Sequence, residues 1–275
     1  MPIPAFAQNE RAQLIMETLA AAYPDRIERA EFHNGDWTVL MGGTRYYFAE
    51  GRLLPEELRD KAADYSPQPF YNYIEDLPAW RTPSAEEAER YRSMGENRSR
   101  NPIRRSPLFF DALWQANTRA ESERRTKPLA FLGSSVRVHE GIHEKLKLVE
   151  ERILAAARSD SQVRSWISGI NTVQGWNWRS VADIPSRSYH SYGVAVDILP
   201  KSLGGKETYW LWAARNRPEW WNIPYSDRFH PPIAVIRAFE ANGFIWGGKW
   251  LFFDTMHFEY RPEIIMLSGR IAVTR

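Results

Sequence analysis

Ser188-Tyr189-His190-Ser191-Tyr192-Gly193-Val194-Ala195-Val196-Asp197 is the stretch from which the fold is read. A turn rich in Ser, Tyr and Gly leads into a short strand. On that strand Val194, Val196 and Ile198 take one face, and Ala195 and Asp197 take the other. An aspartate set among valines on a core strand is costly unless it is paired or bound to a cation. His190, on the turn before the strand, can fold over toward Asp197 and place a nitrogen beside its oxygen. Gly193 lets the backbone approach a neighbour closely at that turn.

A second stretch completes the set: Gly247-Gly248-Lys249-Trp250-Leu251-Phe252-Phe253-Asp254-Thr255-Met256-His257-Phe258-Glu259-Tyr260. Met256 and Phe258 point to one face of this strand and His257 to the other, so His257 can supply a third ligand. Two histidines, one aspartate and one open position make the layout of a catalytic zinc site. Asp254 is the candidate base for a metal-activated water. Residues 254 and 257 face opposite ways on a straight strand, so this role requires a bend near Asp254. Glu259 shares a face with His257 and is either an outer support for that ligand or a surface carboxylate. Trp246, Trp250 and Tyr260 are candidates for the cleft wall, with core packing as the alternative.

The spaced pattern Ser-x-His-x-x-Gly-x-Ala-x-Asp followed by Asp-x-x-His-Phe-Glu resembles the M15 metallopeptidases over residues 165–262. That family comprises D-alanyl-D-alanine carboxypeptidases and dipeptidases and L-alanyl-D-glutamate endopeptidases of cell walls and phages. The resemblance implies His190, Asp197 and His257 as ligands of Zn2+ and Asp254 as general base. It implies Ser188 as a serine close to the substrate. It also implies an arginine upstream of the first ligand that polarises the scissile carbonyl. Arg179 in Trp176-Asn177-Trp178-Arg179-Ser180 is assigned to that role, with Arg164 in reserve. The substrate implied is the stem peptide of peptidoglycan, cut by D,D-carboxypeptidase or L-Ala-D-Glu endopeptidase action. Two competing readings remain: a non-catalytic wall-binding protein on the same fold, and a zincin protease.

The zincin reading rests on His139-Glu140-Gly141-Ile142-His143, a literal H-E-x-x-H. On a helix its histidines lie one turn apart, with Glu140 as base. Gly141 weakens such a helix at its centre, and the charged neighbours Arg137, Glu144 and Lys145 suggest exposure. The segment is read instead as a structural helix with solvent-facing histidines.

Composition narrows the classes. The chain has no cysteine, which excludes thiolate zinc sites and cysteine nucleophiles. With 36 basic and 34 acidic residues the charge is too balanced for nucleic acid to be the main partner. The basic run Arg98–Arg105 lies in a Pro/Ser/Asn-rich stretch without aromatics and reads as a solvated linker, with contact to an anionic wall polymer as the alternative. No apolar run reaches the length of a membrane span. At 275 residues the chain can bury a core unaided, so a metal here is expected to be catalytic. Ala5-Phe6-Ala7 has the small-x-small form of a signal-peptidase site, with cleavage before Gln8, and a periplasmic or secreted location is expected.

The fold expected is α+β: a small antiparallel sheet bearing the zinc site, packed by helices, with a smaller N-terminal α/β portion. Residues 1–107 form that portion, with a helix over 10–22, a hairpin turning at Gly42-Gly43, a short helix over 53–63 and a Pro/Asn/Arg-rich linker. Residues 108–275 form the catalytic domain. A long helix is predicted over 138–157, and shorter helices near 84–91, 209–214 and 231–241. Strands are predicted over 194–199, 244–246 and 256–260.

Overall fold

The computed structural model describes residues 5–270. Helix α1 (Ala5–Ala22) buries Ala12, Ile15, Met16 and Leu19 along one stripe at helical spacing. Ala5-Phe6-Ala7 begin this helix, and the rest of the export-like stretch before them lies outside the described residues. Four antiparallel strands follow in sheet order: β1 (Arg29–His33), β2 (Asp36–Met41), β3 (Thr44–Tyr47) and β4 (Leu54–Pro55). The expected hairpin is β2–β3. Its Gly42-Gly43 turn has positive φ at both residues, as a tight hairpin between twisted strands requires.

The helix expected over 53–63 is instead a kinked, exposed 3-10 stretch, Glu56–Asp64. Leu53 and Leu54 are spent on the sheet, so no apolar stripe remains to hold an α-helix down. A strap without regular structure then leads to α2 (Ala85–Arg100), which starts at a reciprocal Ser84–Glu87 capping box. Next come α3 (Leu108–Leu113), α4 (Arg119–Arg125) and the hairpin β5 (Thr126–Phe131) and β6 (Ser134–His139). Helix α5 (His143–Ala157) begins five residues later than predicted. Val136 and Val138 alternate with exposed Arg137, a strand period that continues the apolar spacing of the helix and disguises its start.

Helix α6 (Ser161–Ser168) leads into the sheet that matters for function. Its strands are β7 (Ile170–Gln174) and β8 (Ala195–Pro200), then, after helices α7 (Trp210–Asn216) and α8 (Ile233–Glu240), β9 (Phe244–Trp246) and β10 (His257–Tyr260). They pair antiparallel in the order β7-β8-β10-β9. The register sets His257 directly opposite Asp197 and Phe258 opposite Val196. Directly opposed residues share a face, so the two polar groups meet on one side and the apolar pair on the other. On that apolar side Phe239 of α8 stacks on Phe258 at 3.9 Å between ring centroids.

Helix α9 (Pro262–Leu267) closes the chain against α1. One continuous core runs from Ala12 to Leu267 through both sheets. A second apolar cluster, centred on Trp210, Trp220, Trp221 and Phe253, packs the long connection between β8 and α8. The fold is α+β, with helices covering small antiparallel sheets.

Candidate metal centre

His190 sits on a one-turn 3-10 segment, Tyr189–Tyr192, that ends at Gly193 with φ +72°. A Cβ added at Gly193 would lie 2.5 Å from Thr126 Cγ2 and 2.8 Å from His139 N. The glycine therefore serves both the left-handed turn and the close approach of the turn to β6. Ser188 caps this turn, its Oγ accepting from His190 N at 3.4 Å. Asp254 precedes β10 across a tight turn in which His257 N donates to Asp254 O at 3.3 Å. This is the bend its proposed role needs.

The donors converge. His190 Nε2 is 3.2 Å from His257 Nδ1 and 3.2 Å from Asp197 Oδ2, and His257 Nδ1 is 2.8 Å from Asp197 Oδ1. His190 Nδ1 donates to Gly175 O at 2.6 Å, and His257 Nε2 donates to Glu259 Oε2 at 3.1 Å. Each ring thus spends its proton on an outer acceptor and turns its lone pair inward, the tautomers being assigned from these partners. Two imidazole lone pairs and a carboxylate, all within 4.8 Å of one another, form a possible His-Asp-His metal site. Neutral imidazoles and a carboxylate fit a catalytic zinc-type cation, and the donor set needs positive charge among it.

Electrostatics carries the same signature. Burial works to raise the pKa of Asp197, yet the imidazoles of His190 and His257 overcome it and hold the carboxyl far below its ordinary range. Burial works to lower that of His257, and its hydrogen bonds to Asp197 and Glu259 reverse it, so without a cation the inner nitrogen holds a proton that a metal would replace. Asp254 behaves differently: burial pushes its carboxyl up to about 6, against the pull of His257. Its Oδ1 is enclosed and has no hydrogen-bond partner among the described residues. A carboxylate poised near neutrality with an unsatisfied oxygen is suited to accept a proton.

These groups line a cleft of about 580 Å3. Ser188, Arg179 and Trp250 line it as well. Arg179 is tied to the His190 turn by its backbone, since its N donates to Ser191 Oγ at 2.9 Å and its carbonyl accepts from the same hydroxyl at 2.6 Å. The reserve candidate Arg164 lies on α6 and donates to Ala157 O, away from the cleft lining. Trp250 places its ring 5.5 Å from that of His257 and donates Nε1–H to Tyr71 Oη at 2.8 Å. Trp246 does not reach the cleft. It is 1% exposed, donates to Thr255 O and packs against His230, because β9 turns this residue to the interior.

Among residues 182–260, the chain matches the model of a peptidase family described as D-alanyl-D-alanine carboxypeptidase. This stretch belongs to the M15 peptidases. The M15 match takes in His190, Asp197, Asp254 and His257 and begins just after Arg179. Residues 15–70 match a family described only as a domain of unknown function (DUF8518). No curated protein and no solved structure matches the chain.

The rival H-E-x-x-H does not form a site. His139 ends β6 and is fully buried, Glu140–Ile142 make a 3-10 turn, and His143 opens α5. The two histidines are therefore not one α-helical turn apart. His139 donates from Nε2 to Trp114 O at 3.0 Å and accepts at Nδ1 from Gly141 N at 3.0 Å. Both its nitrogens are occupied, so it is neither a ligand nor solvent-facing. Glu140 points outward to Arg125.

The basic run is a solvated linker only in part: Arg100, Asn101, Pro102 and Arg104 are exposed, but its two ends are not. Arg98 pairs with Asp183 and lies over the Phe252 ring, and Arg105 enters the cleft. Tyr71 and Tyr209, which line the same cleft, carried no sequence signal, since lone tyrosines in loop and helix-flanking positions are not informative.

Proposed function

We propose that this chain is a zinc-dependent peptidase that hydrolyses an amide bond in the stem peptides of peptidoglycan, as a D,D-carboxypeptidase or an L-Ala-D-Glu endopeptidase. One observation carries it: three donors within 4.8 Å of one another, in the same cleft as Asp254, whose buried Oδ1 has no partner among the described residues. His190, Asp197 and His257 would hold the metal. When bound, zinc supplies Lewis-acid chemistry, acidifying water and polarising a carbonyl.

The chain's own residues do the rest. Asp254 takes the proton of the attacking water and returns it to the leaving amine. Arg179, exposed on the cleft wall with its Nη1 donating to Ser180 O at 3.4 Å, would turn toward the carbonyl oxygen and stabilise its developing charge. Ser188 lines the same wall and helps seat the peptide. Trp250, clamped by Tyr71, offers an apolar surface beside the ligands. A substrate in the cell wall places the protein in the periplasm or outside the cell. No helix among the described residues is long and apolar enough to cross a membrane.

Metal content of the purified protein beside His257→Ala tests the reading. About one zinc per chain in the wild type, lost in the variant, together with release of amino acid or peptide from muropeptides, is the expected result. Zinc retained by His257→Ala would overturn the assignment.

A further inference from the structure

Arginines crowd the cleft, and most are already paired. Arg98 binds Asp183, Arg187 binds Asp111, and Arg261 lies between Glu259 and Glu263. Arg105 and Arg179 differ. No carboxylate of the described residues lies within 4 Å of either guanidinium.

Arg105 is the more telling of the two. Its Nε donates to Pro67 O at 3.2 Å, which fixes the plane of the fork and leaves its two terminal nitrogens without an acceptor among the described residues. Its backbone is pinned from two directions. Arg105 N donates to Ser186 Oγ, which itself donates to Ile103 O at 2.7 Å. The neighbouring carbonyls of Arg104 and Ser106 accept from Ser66 N and Gln68 Nε2. The strap that follows the first sheet and the loop that precedes the ligand turn therefore hold this residue in place together. Burial lowers its pKa and Arg261 and Arg98 push the same way, while Tyr189 and Glu259 oppose them. A guanidinium remains charged under that pressure, so a fixed, half-buried fork facing the cleft is placed to take an anion.

We propose that Arg105, with Arg179 beside it on the cleft wall, forms a subsite for a carboxylate of the substrate. The planar fork matches a carboxylate in bidentate fashion, and a rigid fork sacrifices little freedom on binding. Residue 105 lies outside both segments that match family models, so the subsite joins a different part of the chain to the cleft. The proposal rests on the peptidase reading for the nature of its ligand. Two carboxylates qualify: the terminal α-carboxylate of the peptide and the side-chain or free α-carboxylate of a glutamate within it.

The test is equilibrium binding to the full, zinc-loaded chain carrying Asp254→Asn to hold back turnover. One pair of probes is acetyl-L-Lys-D-Ala-D-Ala and its C-terminal amide. The other is an L-Ala-D-Glu peptide and its D-Gln counterpart. At least about a tenfold preference for the acid within one pair is expected, the size of a lost charge-assisted hydrogen bond. Arg105→Gln added to that chain should abolish the preference, and Arg105→Lys should keep part of it. The pair that discriminates identifies the carboxylate. No preference in either pair, or a preference untouched by both Arg105 variants, overturns the subsite. Cleavage of the same peptides by the chain with Asp254 intact is read separately. Carboxylate preference without any cleavage sinks the peptidase reading and leaves the subsite standing.

Discussion

Asp254 and His139 show how the same physical force, burial, serves opposite ends. Asp254 is enclosed with one oxygen unsatisfied, and the cost of that arrangement is repaid only if the oxygen has chemistry to do. Asp254→Asn keeps the shape and removes the basicity. Turnover should fall by about 10²- to 10⁴-fold while zinc content, measured by metal analysis, stays at the wild-type level. A parallel loss of metal would make Asp254 a ligand rather than a base. His139 is enclosed with both nitrogens satisfied, and burial drives its pKa down to about 4. The unfolded chain takes up the proton at an ordinary imidazole pKa near 6.5, the folded chain only near 4. Its contribution is therefore fully present above about pH 6.5 and is lost as pH falls toward 4, amounting to about 3 kcal/mol. Denaturant unfolding at pH 7 and pH 4.5 should show this loss in the wild type and a flatter dependence in His139→Asn. Equal pH dependence in the two would exclude His139 as the source.

Among the elements, the turn that ends at Gly193 determines where His190 stands. Two glycines allow strain and crowding to be separated. Gly133 has φ +76° and open space where a Cβ would go, whereas Gly193 has φ +72° and backbone 2.8 Å away. Gly133→Ala should cost only the left-handed penalty, about 1–2 kcal/mol. Gly193→Ala should cost clearly more and also weaken metal binding, because the turn must back away from β6 and carry His190 with it. Thermal melts and chelator competition read the two effects, and matching melting temperatures for the two variants would refute the crowding argument. The β8 and β10 elements were legible in the sequence because chemistry and period coincide there: an Asp or a His among alternating apolar residues has one sensible face. The β5–β6 hairpin was not legible. Val136 and Val138 extend the helical spacing of α5, and only their pairing with β5 across the Leu132-Gly133 turn reveals their period as two. The buried state of His139 follows from that hairpin and was missed with it, as was the cleft position of Arg105, which depends on contacts to Pro67 and Ser186 far away in sequence.

Across the whole molecule, a chain of buried polar groups joins the end of α1 to the proposed metal ligands. His257 donates to Glu259, Arg261 binds both Glu259 and Glu263, and Tyr23, just past α1, donates to Glu263 at 2.6 Å. Arg261 and Glu263 are 1% and 0% exposed, so each charge depends on the others for its compensation. The sequence showed Glu259 on the face of His257, but Tyr23 and Glu263 are 240 residues apart and no local pattern connects them. The arrangement ties the end of α1 to His257, one of the proposed ligands. Glu259→Gln, which weakens the acceptor of the His257 proton directly, should lower zinc affinity by about 10- to 100-fold. Tyr23→Phe removes one hydrogen bond at the far end, to a charged partner, and should cost about 1.5–3 kcal/mol of stability. Because Glu263 then draws harder on Arg261, Glu259 is left less compensated and becomes a stronger acceptor of the His257 proton, so zinc affinity should rise, opposite in direction to Glu259→Gln. Chelator competition on both variants, beside a melt, decides the matter. A Tyr23→Phe protein that melts earlier yet binds zinc as tightly as the wild type would confine this network to stability and detach the N-terminal portion from the metal centre.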